Sequence, residues 1–107
     1  MRATEFEIQA FIYCGLRSLG YNVRGELQYD VPGMLKKAKF DLCLLDAQGV
    51  LLWIIEVKRR DFQGSFEKTK QYAKYKAFGV PLTYIFGMED AERFISEAKR
   101  KGSLPVM

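Results

Sequence analysis

The chain has 107 residues, the size of one domain, with 49% hydrophobic and 28% charged residues, a balance that excludes an intrinsically disordered protein. Its net charge of +4 and pI near 9.1 favour a polyanionic partner. It contains no histidine, which excludes Ser-His-Asp and Cys-His nucleophilic sites, histidine-ligated zinc and histidine general bases.

The N-terminal stretch does not read as a signal peptide. Glu5 and Glu7 interrupt it, and no small-residue cleavage site follows an apolar run. The longest apolar run, Val50 to Ile55, is too short to cross a bilayer, so the expected location is cytoplasmic with no membrane partner. Cys14 and Cys43 form neither a disulfide framework nor a CxxC zinc pair, and both are expected as reduced core residues.

In chain order, Ile8, Phe11, Ile12, Leu16 and Leu19 recur at helical spacing. They predict a helix over Glu5–Leu19, with Thr4 as N-cap and Gly20 as its stop. Tyr21–Tyr29 reads as a strand and Asp30–Gly33 as a turn. A second strand is expected over Ala38–Leu45, a short hairpin connection at Asp46–Gly49, and a third strand over Val50–Lys58. The continuous apolar run of that third strand predicts a central position covered on both faces. Ser65 is an N-cap candidate for a helix over Phe66–Phe78, which Gly79 ends. Leu82–Phe86 reads as a fourth strand. Asp90 then caps a last helix over Ala91–Lys101, whose Lys99, Arg100 and Lys101 complement the C-terminal dipole. The predicted order is α-β-β-β-α-β-α in a single domain over residues 1–107, of α/β class.

The third strand ends in "EVKRR". Glu56 and Lys58 are two apart on a strand and therefore share a face. Asp41, on the preceding strand of a hairpin, falls beside Glu56. Two carboxylates and an amine at one strand end suit metal-assisted phosphodiester cleavage. The carboxylates supply hard oxygen ligands for Mg²⁺ or Mn²⁺, and the amine orients water or offsets transition-state charge. An ExK triplet arises by chance roughly 0.4 times in a chain of this length, so its position at the end of an apolar strand matters more than the triplet. On the following helix, Gln71 and Tyr75 stand at i, i+4, with Lys68 on the same stripe.

Asp41, Glu56-Val57-Lys58 and Gln71-Tyr72-Ala73-Lys74-Tyr75 together resemble the PD-(D/E)XK nuclease superfamily. The QxxxY element is similar to the branch containing RecB-type nucleases and the N-terminal nuclease domains of type I restriction enzyme motor subunits. The resemblance spans roughly residues 5 to 87. It implies a restriction-endonuclease-like αβββαβ core, a mixed central sheet flanked by helices. It also implies a Mg²⁺- or Mn²⁺-dependent endonuclease acting on DNA. Asp41 and Glu56 would hold the metal, Lys58 would assist attack by water, and Gln71 and Tyr75 would lie near the DNA backbone. The family often places Pro before its Asp, where this chain has Phe40. It often adds a Glu from the first helix; Glu5 and Glu7 are the two candidates, with Glu5 preferred as a further metal ligand.

Lys39, Arg59, Arg60 and Lys68 surround this set in the sequence and are expected to draw in phosphate. At this length there is no room for a target-recognition domain, so a homodimer or a larger protein partner is expected to serve cleavage of both strands. The alternative reading is a non-catalytic nucleic-acid-binding module on the same fold.

Overall fold

The computed structural model describes residues 3–30, 37–58 and 78–102. The first helix, α1, spans Glu5–Ser18. Thr4 caps it as its sequence predicts: the hydroxyl accepts from the Glu7 amide, and the Glu7 carboxylate accepts from the Thr4 amide. Ile8, Ile12 and Leu16, four residues apart, form its buried stripe. Phe11 stands off that stripe and is 38% exposed, because its angular position falls a quarter-turn away. Cys14 is likewise exposed, which corrects its expected place in the core, while Cys43 is buried.

The two strands expected at Tyr21–Tyr29 and Ala38–Leu45 are each broken in two. They form β1 (Asn22–Gly25), β2 (Gln28–Asp30), β3 (Lys37–Lys39) and β4 (Leu42–Leu45). β1 pairs antiparallel with β4, and β2 with β3. Both pairings belong to one hairpin in a single register. Across the break, the Glu26 amide donates to the Asp41 carbonyl at 3.1 Å and the Phe40 amide to the Leu27 carbonyl at 3.0 Å. Glu26 sits at φ 56°, in the left-handed region that few non-glycine residues adopt. That residue bends the ladder, and a bend is what an alternation pattern cannot reveal. The expected turn at Asp30–Gly33 lies, after Asp30, outside the described residues.

Asp46–Gly49 makes the predicted hairpin. The Asp46 carboxylate accepts from the amides of Gln48 and Val50, both at 2.8 Å, and Gly49 takes φ 86°. β5 (Leu51–Lys58) follows, antiparallel to β4. Leu44 faces Trp53 while Leu45 faces Leu51, so Leu52 is an extra residue that bulges out and stays exposed. β5 is central, as its apolar run predicts. The coverage on both faces begins only at Ile54.

β6 (Leu82–Phe86) runs parallel to β5, giving a mixed four-stranded sheet in the order β1-β4-β5-β6. The helix expected at Phe66–Phe78 falls in the connection between them and, before Phe78, lies outside the described residues. The last helix, α2 (Met88–Lys101), starts three residues earlier than expected, with Gly87 as its N-cap. Asp90 therefore lies within the first turn, and its carboxylate accepts from the Phe86 amide at 2.9 Å, tying the helix start to the end of β6.

The two faces of the sheet differ. On one, Ile8, Ile12 and Leu16 of α1 and Ala91 and Phe94 of α2 pack on Leu42, Ile55, Val57 and Ile85. There Trp53 satisfies its indole N–H on the buried Thr83 hydroxyl at 2.8 Å. The helices meet where Gly15 of α1 faces Ile95 of α2. On the other face, Phe40, Cys43 and Ile54 form a second cluster, joined by Tyr29, Phe78 and Tyr84. Among the described residues, no helix is long and apolar enough to cross a membrane.

Candidate active site

Residues along β5 alternate between the faces. Ile55 and Val57 belong to the helix side, so Glu56 and Lys58 project to the other, beside the Phe40–Cys43–Ile54 cluster. Glu56 is 1% exposed, a carboxylate in the core of a basic protein. Such burial is unfavourable unless hydrogen bonds and a cation compensate it.

Asp41 lies at the hairpin bend, one residue before β4 begins. The two acids hook each other's strand. The Asp41 amide donates to Glu56 Oε2 at 2.6 Å, and the Val57 amide donates to Asp41 Oδ2 at 2.9 Å. These two side-chain bonds replace ladder bonds where β4 has not yet started. They orient both carboxylates at the C-terminal end of β5, as the hairpin reading of Asp41 and Glu56 expects.

Aromatic packing holds the bend from beneath. Tyr29 and Phe40 stack at 5.6 Å between ring centroids, and Phe78 meets Phe40 edge-on at 5.0 Å. Phe40 is fully buried, so its neighbour Asp41 starts from an anchored backbone.

Cys43 reports the field of the two acids. Burial pushes its thiol up to about 12, and the negative charges of Glu56 and Asp41 push in the same direction. Burial also raises the Tyr29 hydroxyl above its usual range.

The remaining expected residues divide. Lys58 is half-buried on the Glu56 face. Lys39 is exposed near the bend, its amine 3.8 Å from Glu26 Oε1. Glu5 is exposed in the first turn of α1, and among the described residues no three acidic or thiol groups gather to hold a metal, so the structure does not bring Glu5 to the Asp41–Glu56 pair. Glu7 is engaged in the capping box, whose bonds from Thr4 lower its carboxyl below the usual range. Arg59, Arg60, Lys68, Gln71 and Tyr75 lie outside the described residues.

Three neighbours of the pair escape a reading of the sequence. Tyr84 of β6 stands in register with Glu56, and Phe86 with Lys58. Glu26 stands opposite Asp41. Parallel register is set through a long crossover and leaves no local sequence signal. For Tyr84 and Phe86, the one available signal is the alternation of Leu82, Tyr84 and Phe86.

No protein-family model, curated protein or solved structure matches the chain. The fold and site therefore stand on the residues themselves: an α/β domain with a mixed sheet and a carboxylate pair hooked across its central hairpin.

Proposed function

We propose that the chain is a metal-dependent nuclease that hydrolyses DNA phosphodiester bonds on a restriction-endonuclease-like core. The observation that carries this reading is the reciprocal hook of Asp41 and Glu56 at the end of β5, with Lys58 on the same face. The order of described elements supports it: a helix, an antiparallel three-strand unit, then a parallel strand.

The donor set fits a hard divalent cation. Mg²⁺ commonly takes one or two protein carboxylates and keeps several waters, so a third protein ligand is not required. Asp41 and Glu56 would hold it, each with one oxygen already oriented by an amide. A bound Mg²⁺ or Mn²⁺ would neutralise phosphate charge and acidify a neighbouring water. Lys58 extends from the same strand face. Its amine keeps the attacking water in line and offsets the negative charge that grows on the phosphate in the transition state. The apolar ring cluster below the pair lowers the local dielectric and strengthens each of these interactions. In this reading Gln71, Tyr75, Lys68, Arg59 and Arg60 contact the DNA backbone.

The test is a cleavage panel of linear, nicked, branched and single-stranded DNA with Mg²⁺ or Mn²⁺. Wild-type protein cuts at least one member, and Lys58→Ala abolishes the cutting while DNA binding is retained. Binding without cleavage by wild-type protein would make the chain a non-catalytic nucleic-acid module. A Lys58→Ala variant that cuts normally would refute the assigned role of the ExK triplet.

A further inference from the structure

The edge strand β1 carries a cation on the face of the candidate site. Val23 pairs with Leu44, and both belong to the helix side. Arg24, opposite Cys43, therefore projects to the other face, where Glu56 and Lys58 also project. Arg24 is exposed, and among the described residues β1 pairs on one side only, with β4.

The register places these residues on a diagonal. Asp41 comes one residue before Leu42, which faces Ile55, so Asp41 and Glu56 stand at one level across the hairpin. Arg24 and Cys43 stand two residues below that level, beside Ile54, and Lys58 stands two residues above it. From the β1 edge inwards the order is Arg24, Asp41, Glu56, Lys58: a cation, two carboxylates, a cation. By the rise along a strand and the spacing between strands, the two outer Cα atoms are about 16 Å apart, with the acids between them.

Other described cations are placed or engaged differently. Lys39 lies 3.8 Å from Glu26 Oε1, Arg93 lies 3.6 Å from Asp90 Oδ1, and the Arg17 guanidinium lies 5.5 Å from the centre of the Tyr13 ring. Lys99, Arg100 and Lys101 end α2, which packs on the opposite face of the sheet. Among the described residues no acid pairs with Arg24, so its fork of donors is open to an acceptor from outside the fold. A guanidinium fork matches a phosphate with two parallel hydrogen bonds.

We propose that Arg24 is a phosphate contact of the substrate: the DNA strand crosses the site face diagonally, from Lys58 at the end of β5, past Asp41 and Glu56, to Arg24 at the β1 edge. Two carboxylates repel a phosphate backbone, and Lys58 offsets that repulsion on one flank of the pair only. Arg24 supplies the cation on the other flank. This inference rests on the nuclease reading for the presence of DNA, and it deepens that reading by giving the path of the substrate. A cation on an edge strand can also discourage edge-to-edge pairing of sheets, but that role requires no particular phosphate.

Two arms test it, both in EDTA and without cleavage. In the first, wild type, Arg24→Ala, Arg24→Lys and Arg100→Ala are titrated with a labelled duplex oligonucleotide at several salt concentrations. Arg24→Ala weakens binding by about tenfold or more and lowers the log-log salt slope by roughly 0.9. Arg24→Lys keeps the slope but loses part of the affinity, because an ammonium cannot make the two parallel bonds. Arg100→Ala, on the opposite face, binds as wild type does. In the second arm, single phosphates of the duplex are replaced in turn by uncharged methylphosphonates. Wild type loses affinity at the phosphate that Arg24 contacts, and Arg24→Ala is indifferent to the replacement at that position.

Arg24→Ala binding as tightly as wild type overturns the proposal. So does an identical response of the two proteins to every methylphosphonate, which would leave Arg24 an edge charge only. No binding of DNA by wild type overturns both the contact and the nuclease reading. Binding through Arg24 by a protein that cuts no DNA with Mg²⁺ or Mn²⁺ supports the contact and refutes the nuclease reading alone.

Discussion

Glu56→Gln separates a functional carboxylate from a structural one. The side chain is buried to 1% exposure, and its Oε2 accepts the Asp41 amide at 2.6 Å. Glutamine has the same shape and can still accept that bond, but without charge. A hydrogen bond to a charged group contributes about 1.5–3 kcal/mol against about 0.5–1.5 for a neutral one, so the substitution loses roughly 1 kcal/mol there. Against this, keeping an ion out of water is unfavourable by several kcal/mol, and Asp41 beside it adds repulsion of like charges. The two effects oppose each other. Without metal, the variant is expected to stay within about 1 kcal/mol of wild type, or roughly 4–8 °C in Tm. With metal, wild type gains the advantage. Mg²⁺ at a hundred times its Kd stabilises wild type by about 2.7 kcal/mol, and it should leave the variant unchanged. Thermal unfolding in EDTA and at graded Mg²⁺ reads both effects, and calorimetric titration gives the binding directly. A loss of more than about 2 kcal/mol in EDTA would mean that the carboxylate is a structural keystone of the bend. That result would refute the reasoning even if cleavage is also lost.

Three further outcomes are expected. Cys14 should be alkylated in the native protein at pH 8 and Cys43 only after unfolding, as mass spectrometry of labelled peptides would show; because the folded Cys43 thiol is raised to about 12 from an ordinary 9.0, the stability it contributes is complete below pH 9 and declines as pH rises toward 12, and Cys43→Ala should remove that part of the decline. Gly15→Ala should destabilise by about 1 kcal/mol in urea despite the ~1 kcal/mol gain in helix propensity, because its Cβ would lie 2.9 Å from Ile95 Cδ1; a shorter residue at Ile95 should restore the gain. Replacing Arg59, Arg60 and Lys68 together by Ala should weaken DNA binding across sequences and flatten its salt dependence, by a log-log slope of roughly 0.9 for each phosphate that the variant leaves unneutralised on duplex DNA.

The parts of the fold legible in the sequence are those specified by nearby residues. Thr4 and Glu7 are three apart and cap α1 by themselves. The hairpin at Asp46–Gly49 carries its own turn chemistry in the Asp46 carboxylate and the left-handed Gly49. That short connection keeps the two strands it joins side by side, which is why Asp41 and Glu56 could be placed near each other from sequence although fifteen residues separate them, while the bulge at Leu52 supplies the one-residue shift that brings them opposite. Where distant residues decide, legibility ends. Leu52 leaves the alternation because a bulge between Leu44 and Leu45 displaces it. Tyr84 reaches Glu56 through a parallel pairing whose register no local residue encodes. Cys14 and Phe11 carry core-forming side chains, but the buried stripe of α1 is already filled by Ile8, Ile12 and Leu16.

Phe40 shows how a departure from a familiar motif acquires a physical reason. The superfamily that the motif resembles often has proline before its aspartate, which sets φ without help from the rest of the chain. Proline has no amide hydrogen. Here the residue 40 amide donates to the Leu27 carbonyl at 3.0 Å, one of two bonds that carry the hairpin register across its bend. A proline would remove that bond at the point where the ladder is already interrupted by Glu26. Phenylalanine keeps the amide and fixes the backbone by packing instead, between Tyr29 and Phe78 and beside the buried Cys43 and Ile54. The orientation of Asp41 thus depends on a side-chain cluster drawn from β2, β4, β5 and the approach to β6. A local constraint has been exchanged for a tertiary one. The carboxylate pair consequently forms only when the second core is complete, which couples the candidate chemistry to folding of the whole sheet.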